Sequence, residues 1–127
     1  QVEIITPERV FYTGQAFMIE FTTTEGDIGV YKHHIPLTAV LAPGIVTITE
    51  DGSSKKAAVH SGFAEILGDK VTLLAEVAEW PDEIDKNRAE EAKMRAERRL
   101  KMKEAGLDVK RAEIALKKAL VRIDITK

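Results

Sequence analysis

An antiparallel β-sandwich or barrel followed by an antiparallel two-helix hairpin is the fold class this sequence predicts, and three observations carry it. Up to Trp80, short apolar runs alternate with a period of two. In the same region turn-forming stretches recur at short intervals, the mark of many short strands. Beyond Pro81 those stretches all but vanish, and the good helix formers Ala, Glu, Lys, Arg, Leu and Met dominate. The break divides the chain into a sandwich domain over residues 1–80 and a helical hairpin over 81–127.

In the first part, Phe17, Ile19 and Phe21 fall on one face of a strand while Met18, Glu20 and Thr22 fall on the other. Strand-separating turns are predicted at Thr24-Glu25-Gly26-Asp27, Pro43-Gly44, Asp51-Gly52-Ser53, Ser61-Gly62 and Gly68-Asp69. The expected core takes Val2, Ile4, Phe17, Ile19, Phe21, Ile28, Val30, Leu41, Val46, Ile48, Val59, Phe63, Ile66, Val71 and Leu73.

In the second part, Pro81 suits a first helical turn, and Asp82, Glu83 and Asp85 suit its positive end. Gly106-Leu107-Asp108 reads as a stop and a restart, with Gly106 ending one helix and Asp108 capping the next. Two helices follow, about 83–105 and 109–124. Their facing sides are small: Ile84, Ala89, Ala92, Ala96 and Leu100 against Val109, Ala112, Ala115, Leu116, Ala119, Leu120 and Ile123. The six alanine methyls contribute about 5 kcal/mol at most, at roughly 0.8 kcal/mol each. A ligand at about 100 times its dissociation constant adds roughly 2.7 kcal/mol. A ligand bridging the helices is therefore expected to decide whether they stay paired.

Composition removes several alternatives. The chain has 127 residues and 44% hydrophobic content, enough for a core. No run approaches the roughly 18 to 20 continuous apolar residues of a membrane span, and no charged-then-apolar signal pattern opens the chain. No direct membrane insertion is expected, and a cytoplasmic location is. The absence of cysteine excludes disulfides, a thiol nucleophile and cysteine-ligated metal. A net charge of −2 with few aromatic residues speaks against nucleic acid as a partner. That small total hides a division: residues 1–80 carry 5 basic and 11 acidic side chains, net −6, and residues 81–127 carry 14 and 10, net +4. His33 and His34 would point to opposite faces of a strand, with no third ligand in view, so no metal site is expected. His60 has no visible partner and reads as filler.

The stretch "GDIGVYKHHIPLTAVLAPG", Gly26 to Gly44, resembles the signature of the epsilon subunit of the rotary proton-translocating ATP synthase. The likeness continues through "SGFAEILGDKVTLLAE" (Ser61 to Glu76) and "RAEIALKKALVRI" (Arg111 to Ile123). The resemblance implies an N-terminal sandwich of about ten strands, binding the gamma subunit and the membrane rotor ring in the central stalk. It implies a C-terminal hairpin that either lies compact on the sandwich or extends toward the beta and alpha subunits of the catalytic head and opposes ATP hydrolysis. Such a subunit is not itself an enzyme. It sits at the cytoplasmic face of the cell membrane, as a peripheral part of the complex. Asp27 and His34 match positions at the sandwich end that meets the rotor ring.

Ile84-Asp85-Lys86-Asn87-Arg88-Ala89 fits the I/L-D-x-x-R-A pattern by which some bacterial members of that family bind ATP. Asp85 and Arg88, three apart, would share a helix face, with Arg95 two turns on from Arg88. A carboxylate accepts the hydrogens of the adenine amino group, and guanidinium groups hold phosphate through charge-assisted bonds. Ala89 leaves room for a flat base and Ile84 offers it an apolar contact. By family correspondence Glu79 helps at the base, and Lys118 and Arg122 complete the phosphate side. Lys118 stands where the strong-binding pattern has arginine, keeping the charge but losing the planar fork.

Without the resemblance, Asp85 is an ordinary first-turn acid, and Arg88, Arg95 and Arg122 belong to a solvated face. With it, ATP, with or without Mg, is a regulatory ligand and no cofactor is required. Loss of ATP would then release Lys110, Arg111, Lys117, Lys118 and Arg122 toward acidic surfaces of the catalytic head. The alternative is a purely structural rotor-coupling subunit whose hairpin neither switches nor senses ATP. Neither a GxxxxGK[ST] loop nor a Ser, His and Asp arrangement is present to suggest catalysis.

Overall fold

The computed structural model describes residues 1–31, 36–102 and 108–127. Eight strands come first: β1 (Val2–Ile5), β2 (Val10–Gly14), β3 (Met18–Thr23), β4 (Gly26–Val30), β5 (Leu37–Leu41), β6 (Gly44–Glu50), β7 (Ser53–Leu67) and β8 (Lys70–Glu79). A single 3-10 turn, Pro81–Glu83, leads to the helices α1 (Lys86–Met102) and α2 (Val109–Ile125). The predicted turn at Thr24-Glu25 closes the β3–β4 hairpin, Asp51-Gly52 the β6–β7 hairpin and Gly68-Asp69 the β7–β8 hairpin. The strands bond in the order β2-β1-β8-β7-β5-β3-β4, with β6 bridging β3 and β7. One neighbouring pair departs from the antiparallel pattern, β1 running parallel to β8.

Among the described residues eight strands stand where about ten were expected, and one cause is Ser61-Gly62. It is not a connection but a bend inside β7, with positive φ at both residues. Before the bend β7 pairs with β6; after it, with β5. One long strand thus serves both layers. A Cβ at Gly62 would run into the Leu74 carbonyl, so only glycine fits there. The bend also changes which face points inward: Ala57 and Val59 are buried before it, Ala64 and Ile66 after it. Phe63, counted for the core by alternation from Val59, is therefore carried to the outside, 56% exposed. Phe17 is exposed as well: it stands at the edge of the ladder, just before β3, where its N–H donates to the Thr49 carbonyl at 2.8 Å while its side chain stays outside.

The other expected core residues are buried or packed against the core. Phe11 and Tyr12 join them unforeseen. Phe11 stacks on Trp80, ring centroids 4.4 Å apart, and the Tyr12 hydroxyl donates to Glu50 Oε2 at 2.7 Å. Trp80, where the sandwich ends, is thereby fastened to β2.

The hairpin packs with α2 against β6 and β7. Ala89, Ala96, Ala112 and Ala119 are buried between the helices and the sandwich, whereas Ala115, Val109 and Leu120 are exposed. Four buried methyls contribute about 3 kcal/mol at roughly 0.8 kcal/mol each, weaker than the six expected. The predicted stop at Gly106-Leu107, and any extension of α1 to residue 105, lie outside the described residues. No helix among the described residues is long and apolar enough to cross a membrane.

Candidate functional site

The chain does not pass directly from Pro81 into α1. Glu83 accepts the Trp80 N–H at 2.9 Å and holds Arg9 through both carboxylate oxygens at 2.8 Å, closing a short separate turn. Ile84 is then extended, with φ −97 and ψ 127. The helix starts at Lys86 rather than near 83, and Asp85 caps it instead of standing on its side. Asp85 Oδ1 accepts the Arg88 N–H at 3.2 Å, and the Asp85 carbonyl accepts the Ala89 N–H at 3.1 Å.

This local path builds one wall of a cleft of about 290 Å³, just below the ~300–1,000 Å³ usual for small-molecule sites. Glu79 enters it from the end of β8, Glu83, Ile84 and Asp85 from the connection, Arg88, Ala89, Ala92 and Arg95 from α1, and Arg122 from α2. Of the residues expected together, Glu79, Ile84, Asp85, Arg88, Ala89, Arg95 and Arg122 therefore converge. Lys118 does not line the cleft; it lies one turn before Arg122 and is half-buried. Glu83 and Ala92 were not foreseen. The i, i+3 spacing of Ala89 and Ala92 is the signal that would have placed Ala92 on this wall.

Charges in the cleft are unevenly satisfied. Arg122 Nε–H donates to Glu79 Oε1 at 2.7 Å, and His60 Nε2 lies 3.3 Å from the same oxygen. Arg88 and Arg95 are exposed and form no ion pair among the described residues. Two guanidinium groups thus remain available to an anion. His60 is not simple filler: it is 1% exposed and partnered by Glu79. Its partner could not be read from spacing, because they meet only through the β7–β8 register that sets Ala58 opposite Glu79.

Burial pushes the Glu79 carboxyl up, but the hydrogen bonds from His60 and Arg122 outweigh it and hold the group below its ordinary 4.5. A carboxylate lowered on folding stabilises the fold above its unfolded value, and that contribution disappears as pH falls through the folded one. The Arg122 Hε chemical shift is accordingly expected to move from its hydrogen-bonded value to that of a free guanidinium as pH falls through the lowered Glu79 value. Persistence of the bonded shift in acid, or the same titration in Glu79→Gln, would contradict the assignment.

Asp27, expected at the rotor ring, is exposed on β4 and accepts the Thr22 hydroxyl at 2.9 Å. His34, its expected companion, lies outside the described residues, as does His33. Lys110, Arg111 and Lys117 are exposed on α2. Among the described residues no three His, Cys, Asp or Glu side chains gather as metal ligands.

Comparison with known proteins matches the chain in two consecutive parts. Residues 1–81 match the family model of the ATP synthase delta/epsilon chain β-sandwich domain, and residues 82–127 that of its long α-helix domain. The ATP synthase epsilon chain of Brevibacillus brevis is 50% identical over 127 residues, covering 99% of this chain and 96% of the relative. That of Caldanaerobacter subterraneus subsp. tengcongensis is 47% identical over 125 residues, covering 98% and 91%. In fold, the chain is similar to one in the Euglena gracilis mitochondrial ATP synthase OSCP/F1/c-ring structure. There the TM-score is 0.80 at 22% identity, over 94% of this chain and 76% of that one. Both halves being matched in order, the chain belongs to the ATP synthase delta/epsilon family, as an epsilon-type member.

Proposed function

We propose that the chain is a non-catalytic regulatory subunit of the ATP synthase central stalk, whose hairpin is held compact by ATP bound in the Glu79–Arg122 cleft. The observation that carries this reading is convergence: side chains from the end of β8, from the 84–85 connection, from α1 and from α2 line one small space. Unpaired Arg88 and Arg95 offer forked donors to phosphate, and Arg122 adds a third. Ala89 and Ala92 leave a flat wall for a base, Ile84 gives it an apolar contact, and Asp85 and Glu79 accept hydrogens from its amino group. A ligand seated there touches both helices and the sandwich. Its roughly 2.7 kcal/mol at 100 times its dissociation constant is comparable to the alanine seam it supports. Without ATP the hairpin opens, and the exposed basic side chains of α2 turn toward acidic surfaces of the catalytic head, restraining hydrolysis.

The sandwich supplies the fixed attachment. Its outer face carries an apolar row across five strands, with Val40 opposite Phe63, Phe63 opposite Leu74, and Leu74 and Val10 both beside Ile5. This row is the docking face for the gamma subunit, and through that complex the chain is peripheral to a membrane. Asp27 belongs to the rotor-ring end.

Isothermal titration of the isolated chain with ATP is the direct test. Binding is expected for the wild type, and Arg88→Ala is expected to weaken it by at least about tenfold, the loss of one charge-assisted contact. No heat at about millimolar ATP would remove the sensing role and leave a structural stalk subunit. In that case deletion of residues 81–127 would leave hydrolysis by the assembled complex unchanged.

A further inference from the structure

β7 carries one buried ionisable side chain, and the nucleotide cleft does not include it. His60 is almost fully buried, on the helix-facing side of the strand beside Ala58, while the core takes Ala57 and Val59. Its Nε2 lies 3.3 Å from Glu79 Oε1, and its Nδ1 has no hydrogen-bond partner among the described residues. An ionised carboxylate only accepts, so Nε2 must carry the hydrogen and donate it. Nδ1 then remains a desolvated acceptor, a cost that an apolar side chain in the same place would avoid. Among the described residues, the one polar contact offsetting that cost is the bond to Glu79.

That bond fixes a carboxylate with two further duties. Oε1 also receives Arg122 Nε–H, which ties α2 to the end of β8, and the same side chain lines the cleft. Glu79 is the last residue of β8, so without a second anchor its side chain would be free to turn with Arg122. We propose that His60 is a positioning residue: donating to Glu79 from inside the sandwich, it holds that carboxylate in place to latch Arg122 and to face a bound amino-purine. When phosphate draws Arg122 away, Glu79 keeps its His60 bond and stays aimed at the base. The ligand half of this proposal rests on the nucleotide reading of the cleft, whereas the latch half operates in the empty protein.

The two halves are tested separately. In ligand-free protein, amide exchange of α2 is measured for His60→Leu, Arg122→Ala and the double variant, with β3 amides as the control for folding. Each single change is expected to speed α2 exchange about tenfold, and the double variant to exchange no faster than Arg122→Ala alone. His60→Gln, which restores a donor, is expected to return most of the protection. Additive acceleration in the double variant, or equal effects of Gln and Leu, would overturn the latch and make His60 a packing residue. Should leucine disturb β3 exchange, His60→Ala takes its place in the same cycle.

With nucleotide, the readout is the ratio of affinities for ATP and for purine riboside triphosphate, which lacks the amino group. His60→Leu is expected to lower that ratio about tenfold, since general loosening of the hairpin weakens both ligands alike. An unchanged ratio would overturn the positioning role at the base. If neither triphosphate binds the wild type, the nucleotide reading and the base-positioning half fall together, and the exchange result decides the latch.

Discussion

On the proposed docking of the outer apolar row to the gamma subunit, lysine at both Phe63 and Leu74 is expected to weaken that binding by at least about 100-fold while leaving the melting temperature of the isolated chain nearly unchanged. Phe63 is 56% exposed and Leu74 48%, so neither contributes much to the fold of the free chain. They are nevertheless direct neighbours in the β7–β8 register, with Val40 continuing the row on one side and Ile5 and Val10 on the other. Contiguous exposed apolar area of this kind marks an interaction site rather than scattered surface. Central aromatic and aliphatic anchors carry about 2 kcal/mol or more each in an interface, and two of them account for the expected loss. Phe17→Lys is the control: Phe17 is as exposed but stands before β3, away from the row, and its replacement is expected to leave the affinity unchanged. Surface plasmon resonance with immobilised gamma subunit distinguishes the cases. Equal weakening by all the substitutions would remove the row from the interface.

The row itself was not legible in the sequence, and the reason is local. Alternation predicts faces correctly only while the strand stays regular, as in β6, where Val46 and Ile48 are buried as expected. At Ser61-Gly62 the sequence offers the same small, polar and glycine signal that closes a turn at Asp51-Gly52. Only the pairing of β7 with two successive partners distinguishes a bend from a turn, and pairing depends on distant segments. The change from strands to helices after Glu79 was legible because it rests on composition over tens of residues. So was one wall of the cleft, because Asp85, Arg88, Ala89 and Arg95 lie within a few turns of each other. Glu79 and Arg122 were placed by resemblance alone. The hydrogen bond between them joins residues 43 apart and follows from how the hairpin lies on the sandwich.

Asp85→Ala is expected to cause two losses that other substitutions separate. The first is structural: Asp85 caps α1 through its bond to the Arg88 N–H, and removing an N-cap costs about 1 kcal/mol of helix stability. The second concerns the proposed ATP, since the Asp85 carboxylate also lines the cleft. Losing a hydrogen bond to a charged group is worth about 1.5–3 kcal/mol, or about tenfold to 100-fold in ATP affinity. Serine retains the cap but not the carboxylate. Asp85→Ser is therefore expected to restore amide protection at the start of α1 while leaving ATP affinity as low as in Asp85→Ala. If serine instead recovers ATP binding together with the cap, Asp85 acts by setting the helix start that aims Arg88, and Glu79 alone accepts from the base. Protein-detected exchange for the cap and calorimetry for the ligand give different answers in the two cases, because one residue ends the connection and begins the helix.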